Sequence, residues 1–241
     1  YTANAGTTLY AVWEETYTVS YNANGGTFPG TVKSVSPKKD DTVDVWLTAG
    51  EMPVRTGYDF KGWAKTIEDA NAGTADYKDG ETTSFTMGDD SITLYAVWAP
   101  QNIPIAYDQD DCTDAENQPL LTLTASPTSV PYGSTLEFKV TIDTNKVDTS
   151  KFQVVVGNSV IAATSVDQHE SPKTYTYKVN GVKEALTIRF TGLTYRTYGV
   201  TLDPDGGTIL GGSVRYYTVG SGAVLPNEDQ IIRTGYHFDG W

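Results

Sequence analysis

The chain has 241 residues, 39% hydrophobic and 20% charged, enough for two or three small domains with modest cores. Its 17 basic and 30 acidic residues give a net charge of −13, which repels phosphate backbones and anionic membranes and argues against nucleic acid as a partner. No apolar stretch approaches the ~20 residues that span a bilayer, and with Cys112 as its sole cysteine the chain forms no internal disulfide.

Short strands and turns are expected from the 16 Tyr, 23 Gly and 11 Pro among many Thr and Val. Residues 8–13 read as a strand whose two faces both need cover. In Tyr17-Thr18-Val19-Ser20-Tyr21, alternation puts Tyr17, Val19 and Tyr21 on one face, and Asn22-Ala23-Asn24-Gly25-Gly26 makes a tight turn. Residues 32–35 and 43–47 read as further strands. Residues 53–57 turn the chain into Tyr58-Asp59-Phe60-Lys61-Gly62-Trp63, with Tyr58, Phe60 and Gly62 on one face. Residues 66–80 read as loop or one short helical turn, and a strand at 92–98 closes a unit over 14–98, with Tyr58, Phe60, Trp63, Tyr95 and Trp98 in its core.

Residues 99–119 carry Asp108, Asp110, Asp111, Asp114 and Glu116 without Lys or Arg, and read as an acidic linker or the irregular entry to the next domain. Over 120–193, six or seven short alternating strands predict an antiparallel sandwich of immunoglobulin type. Its inward residues are Leu136, Phe138, Val140, Tyr177, Leu186 and Ile188.

Three motifs recur in order. Thr8-Leu9-Tyr10-Ala11-Val12-Trp13 returns as Thr93-Leu94-Tyr95-Ala96-Val97-Trp98, and Asn24-Gly25-Gly26-Thr27 as Asp205-Gly206-Gly207-Thr208. Arg55-Thr56-Gly57-Tyr58-Asp59-Phe60-Lys61-Gly62-Trp63 returns as Arg233-Thr234-Gly235-Tyr236-His237-Phe238-Asp239-Gly240-Trp241. Ordered self-similarity marks an array of one small unit, commonly a spacer or a binding surface. Because the sequence opens and closes inside that unit, it reads as a fragment: residues 1–13 end one repeat, and 196–241 begin another.

Residues 16–98 resemble the Listeria–Bacteroides repeat, the unit of the B-repeats of internalin-type surface proteins. The resemblance rests on Asn24-Gly25-Gly26, on Thr56-Gly57-Tyr58-Asp59-Phe60-Lys61-Gly62-Trp63 and on Leu94-Tyr95-Ala96-Val97-Trp98. It implies small β-grasp-like units strung in tandem on secreted or wall-attached bacterial proteins, with a role in adhesion, host contact or spacing. The loop at 66–90 is long for the family. The fold class expected is therefore mainly β, with repeats flanking the immunoglobulin-like sandwich.

No catalytic, cofactor or metal site can be assembled. The two histidines, His169 and His237, fall in different segments, and His237 stands where the earlier copy has Asp59. The acidic stretch lacks the glycine and terminal bidentate Glu of a calcium loop, and one Cys with two scattered His makes no zinc set. Trp13, Trp63, Trp98 and Trp241 sit in motifs and read as core. Trp46 has no counterpart near Tyr216 and Tyr217, which makes it the candidate ligand contact. Lys139 alternates outward from its strand, so no Lys–Asn cross-link is assigned.

The expected function is a non-catalytic, extracellular cell-surface segment acting in adhesion or as a stalk, its protein or glycan ligand unknown. The alternative is a carbohydrate-binding accessory region of a secreted enzyme. Two arrangements of residues 1–13 stay open: head-to-tail self-association, in which they complete the last repeat of the next molecule, and packing against their own 14–98 unit.

Overall fold

A computed structural model of the chain describes residues 6, 8–32, 34–45, 50–81 and 84–241, in two compact units, Tyr1–Asn102 and Ile103–Trp241. The fold is mainly β, in several small sheets.

The first unit contains β1 (Val19–Asn22), β2 (Thr42–Asp44), β3 (Tyr58–Ala64), α1 (Ile67–Asn71), β4 (Tyr77–Lys78), β5 (Ser84–Thr86) and β6 (Ile92–Pro100). Its main sheet runs β1-β6-β3-β4, with β1 and β6 parallel and β3 antiparallel to both of its neighbours; β2 and β5 form a separate ladder. The closing motif thus lies in the middle of the sheet, between the two segments that carry the other motifs.

Trp63 is fully buried, with Val19, Val45, Met87, Leu94 and Ala96 around it. Tyr21 and Phe60 meet its ring edge-on at 5.0 and 5.2 Å. Tyr58, Phe60 and Tyr95 are half-buried, and Trp98 is 9% exposed at the rim. Simple alternation does not hold along β3, because the register shifts between Phe60 and Gly62. Gly62 sits at φ +134°, and a Cβ there would lie 2.1 Å from the Tyr77 carbonyl oxygen, so the strand kinks where only glycine fits. The kink lets Phe60 and Trp63 share one core.

The polar stretch after β3 forms one short helix. Thr66 caps it by accepting from the Asp69 amide at 3.1 Å, and it buries Ala70 beside Ala64 and Val97. Residues 8–13 form no strand: Leu9, Tyr10, Val12 and Trp13 are exposed, Trp13 by 90%. This corrects both the strand and the core expectation for Trp13, since among the described residues no strand pairs with the segment or covers it.

The second unit opens on β7 (Asn102–Asp108). Next come β8 (Thr122–Ala125), β9 (Ser129–Pro131), β10 (Leu136–Ile142), β11 (Val147–Asp148), β12 (Gln153–Val156), β13 (Ser159–Ile161) and β14 (Ser165–Val166). The remaining strands of the sandwich are β15 (Lys173–Val179), β16 (Leu186–Thr191) and β17 (Thr194–Tyr195). One sheet runs β14-β15-β10-β8 and the other β13-β12-β16-β7-β9, with a short β11–β17 ladder beside them. Between the sheets Leu136, Phe138, Val140, Ile142, Ile188 and Phe190 are fully buried, Tyr177 is 4% exposed and Leu186 is half-buried. Phe138 stacks on Tyr177 at 5.2 Å.

Residues 99–119 are not a linker here. Residues 99 and 100 end β6, and residues 102–108 form β7, which pairs in parallel with β16 through Ile105↔Leu186 to Asp108↔Arg189. Ile103, Ile105 and Cys112 are buried in the sandwich core. The parallel pair is also a departure from the all-antiparallel expectation. The carboxylates of this stretch organise its turns: Asp108 accepts from the Asp110 amide, and Asp114 from the Glu116 and Gln118 amides and the Tyr195 hydroxyl. Burial pushes the Cys112 thiol pKa up. Lys139 is half-buried on β10.

The last copy of the repeat holds β18 (Thr197–Thr201) antiparallel to β20 (Val214–Thr218), and β19 (Thr208–Ile209) antiparallel to β21 (Ile231–Ile232). Leu202 and Ile231 are buried, but residues 236–241 form no strand. Trp241 is 47% exposed against 0% for Trp63, so the core expectation holds for Trp63 and Trp98 and fails for Trp241.

Candidate groove beside the glycine turn

Both copies of the repeat build the same local constellation. The Asn22-Ala23-Asn24-Gly25-Gly26 turn requires left-handed backbone at Asn24 (φ 44°) and Gly25 (φ 81°), and the later copy repeats it at Asp205 (φ 45°) and Gly206 (φ 82°). The turn then meets the strand that precedes the Arg-Thr-Gly-Tyr motif. Thr27 and Val54 exchange two backbone hydrogen bonds of 2.8 Å, which fixes Arg55 above Gly25. The Arg55 guanidinium carbon lies 3.9 Å from the centre of the Tyr58 ring, and that of Arg233 4.2 Å from Tyr236.

In the first unit these residues line an open groove of about 910 Å³, together with Pro53, Asp59, Trp98 and Gln101. The Trp98 indole N–H donates to the Ala23 carbonyl at 2.9 Å, which locks the ring over Gly26. Asp59 accepts from the Gln101 amide at 2.9 Å and lies 3.6 Å from the Lys61 ammonium. The corresponding groove of the last copy measures about 570 Å³ and is lined by Asp205, Arg233, Tyr236, His237 and Trp241. Arg233 there lies 3.4 Å from the Asp205 carboxylate. This arrangement offers a cation held over an aromatic ring, in a groove whose lining mixes polar and apolar groups.

The sequence-predicted contact Trp46 lies outside the described residues. His169 and His237 are both exposed. Among the described residues no group of three or more His, Cys, Asp or Glu could hold a metal ion, and no helix is long and apolar enough to cross a membrane. Sequence reasoning quoted the Arg-Thr-Gly-Tyr repeat as a motif but missed the clamp. The signal was available: both an arginine and a tyrosine three residues apart return unchanged in the second copy.

The fold and the groove define a small β-rich repeat module whose turn and Arg-Thr-Gly-Tyr motif occur twice in this chain. The chain belongs to the Listeria-Bacteroides repeat domain family, whose model matches residues 17–97 and 198–241. It is also similar to a protein of Evansella cellulosilytica provisionally named a membrane protein, 32% identical over 109 residues. That stretch is 45% of this chain and 14% of the relative's length. No solved structure matches the chain.

Proposed function

We propose that the chain is a non-catalytic segment of a bacterial extracellular surface protein, serving adhesion or acting as a stalk. The observation that supports this reading best is the repetition of one unit with the same arginine–tyrosine contact, at 17–97 and 198–241, on either side in sequence of a β-sandwich. Tandem rigid units set distances and present the same surface several times, which suits a spacer or a multivalent binder better than a single reaction centre. The sandwich is of immunoglobulin type in this reading, a common spacer module. The name of the Evansella relative supports a place at the cell envelope.

The alternative, a carbohydrate-binding accessory region of a secreted enzyme, needs exposed aromatic faces. In the 17–97 repeat Trp63 is fully buried and Trp98 is held by its hydrogen bond to Ala23, which favours the stalk or protein adhesin for that repeat, whereas Trp13 and Trp241 are 90% and 47% exposed. A glycan array separates the two. A blank array is expected, and saturable binding to one sugar class at millimolar or tighter affinity would move the assignment to the accessory module.

Self-association belongs to the same proposal. The exposed 8–13 segment is identical in sequence to 93–98, which lies mid-sheet in the first unit, so it can add to the edge of β18 in a second molecule. Sedimentation at rising concentration should show oligomers that vanish when residues 1–13 are deleted. A chain that stays monomeric at millimolar concentration with the segment intact refutes the contact.

A further inference from the structure

Among the differences between the two grooves, one concerns what faces the arginine. In the last copy the guanidinium of Arg233, lying on Tyr236, faces a carboxylate, Asp205, at 3.4 Å. In the first unit the same turn position is Asn24, with nearly the same backbone conformation (φ 44° against 45°). The Asn24 amide is already committed: it donates to the Ala96 carbonyl at 3.0 Å and to the Asn71 side chain at 3.3 Å. Among the described residues Arg55 makes no ion pair, although it is held on Tyr58 at 3.9 Å and lines the larger groove. One repeat carries its own carboxylate on the arginine, and the other presents the arginine without one.

We propose that the Arg55 groove of the 17–97 repeat binds a carboxylate from outside, an Asp or Glu side chain on an extended peptide segment of a partner protein. A guanidinium whose carbon sits 3.9 Å from the ring centre can still offer N–H groups to a carboxylate, whose two oxygens match its fork with two parallel N–H···O bonds. Val54 and Pro53 line the groove beside it and suit the apolar neighbours of an extended peptide. An acidic polysaccharide fits less well on two counts. Arg55 already covers a face of the Tyr58 ring and Trp98 is 9% exposed, so neither offers a free stacking face to a pyranose. A net charge of −13 also repels a polyanion far more than it repels a single carboxylate.

This inference deepens the adhesion arm of the proposed function and rests on the non-catalytic reading. Its failure leaves the stalk reading in place, whereas a positive glycan array would remove the adhesin reading without touching Arg55. The test is a nitrogen-15 NMR titration of the 241-residue chain with three pentapeptides, the first two capped at both ends and the third at its N-terminus alone. The first has a central Glu, the second Gln in its place, and the third carries its only carboxylate at the C-terminus.

The Glu peptide should give saturable shifts at Arg55 Nε–H, Gly26 and Tyr58, and the Gln peptide none. Arg55→Gln should abolish the shifts, and Arg55→Lys, which keeps the charge but loses the fork, should weaken binding several-fold. Asn24→Asp should supply an internal competitor and weaken binding about tenfold, the effect of roughly one charge-assisted hydrogen bond. Asp205→Asn reads the same idea as a gain, adding a second set of shifts at Arg233 without altering the first unit. Spectra unchanged away from the grooves verify folding of each variant. Equal shifts with the Gln peptide, no saturation by ~10 mM, or an Asp205→Asn chain with no response at Arg233 would overturn the proposal. Tighter binding of the C-terminal carboxylate than of Glu would overturn the assignment to a side chain.

Discussion

Gly26 and Gly207 occupy the same place in the repeat motif, yet the structure predicts unequal costs when each becomes alanine. A Cβ on Gly26 would sit 2.7 Å from Cζ2 of Trp98 and 2.8 Å from the Val54 carbonyl oxygen. Neither neighbour is free to retreat. Trp98 is tied to the Ala23 carbonyl at 2.9 Å, and Val54 accepts the Thr27 amide at 2.8 Å. Overpacking of a tight site costs ~1–3 kcal/mol and one broken hydrogen bond ~0.5–1.5 kcal/mol, so Gly26→Ala should destabilise the first unit by ~2–4 kcal/mol. In a domain of this size that lowers Tm by at least ~8 °C. At Gly207 the nearest atoms are backbone oxygens of Ile232 and Pro204 at 3.0 and 3.1 Å, and no indole lies over it. The neighbours need give only a few tenths of an ångström, and the cost should stay near ~1 kcal/mol. Thermal unfolding should be followed by hydrogen exchange of peptides from each unit, so that the two transitions are read separately. If Gly26→Ala melts within ~2 °C of the parent, or if both substitutions cost the same, Trp98 is not seated as described.

Truncating Trp63, fully buried among Tyr21, Phe60 and Leu94, to alanine should cost the first unit ~3–5 kcal/mol in denaturant titrations. Trp63→Phe should cost clearly less, because it also removes a buried indole N–H that has no hydrogen-bond partner among the described residues. Burial pushes Tyr107 and Tyr177 in the sandwich up to about 12. The folded state therefore holds these protons more tightly than the unfolded chain, whose tyrosines titrate near ~10. The stability they lend is complete below that value and fades as pH rises toward 12, so circular dichroism should show the sandwich loosening over that window and Tyr177→Phe should blunt the change. With residues 102–108 paired in a sheet, limited proteolysis should cut the exposed 8–13 segment before it cuts 99–119; early cleavage at 102–108 would contradict the pairing with β16.

The repeat motifs, the alternation of Leu136, Phe138, Val140 and Ile142, and the short helix after Thr66 were legible because each signal is local. β7 was hidden by its neighbours in sequence. Pro104 and the aspartates from 108 onward read as linker, although Ile103, Ile105 and Tyr107 alternate as a strand should. Pro104 is tolerated because the pairing with β16 starts at Ile105, so its missing N–H breaks no bond of that ladder. The kink at Gly62 defeated simple alternation for a different reason: the bulge is dictated by the Tyr77 carbonyl on a neighbouring strand, which no local pattern reveals. The Arg55–Tyr58 clamp was visible only as two repeated letters, since its geometry depends on the Thr27–Val54 bridge between distant segments.

The central claim is that these repeats stand outside the cell as a non-catalytic surface array. Antibodies raised against the 17–97 repeat, applied to intact and to lysed cells of the producing bacterium, test it most directly. Labelling of intact cells that disappears after brief external protease treatment is the predicted result; labelling that requires lysis would contradict the account.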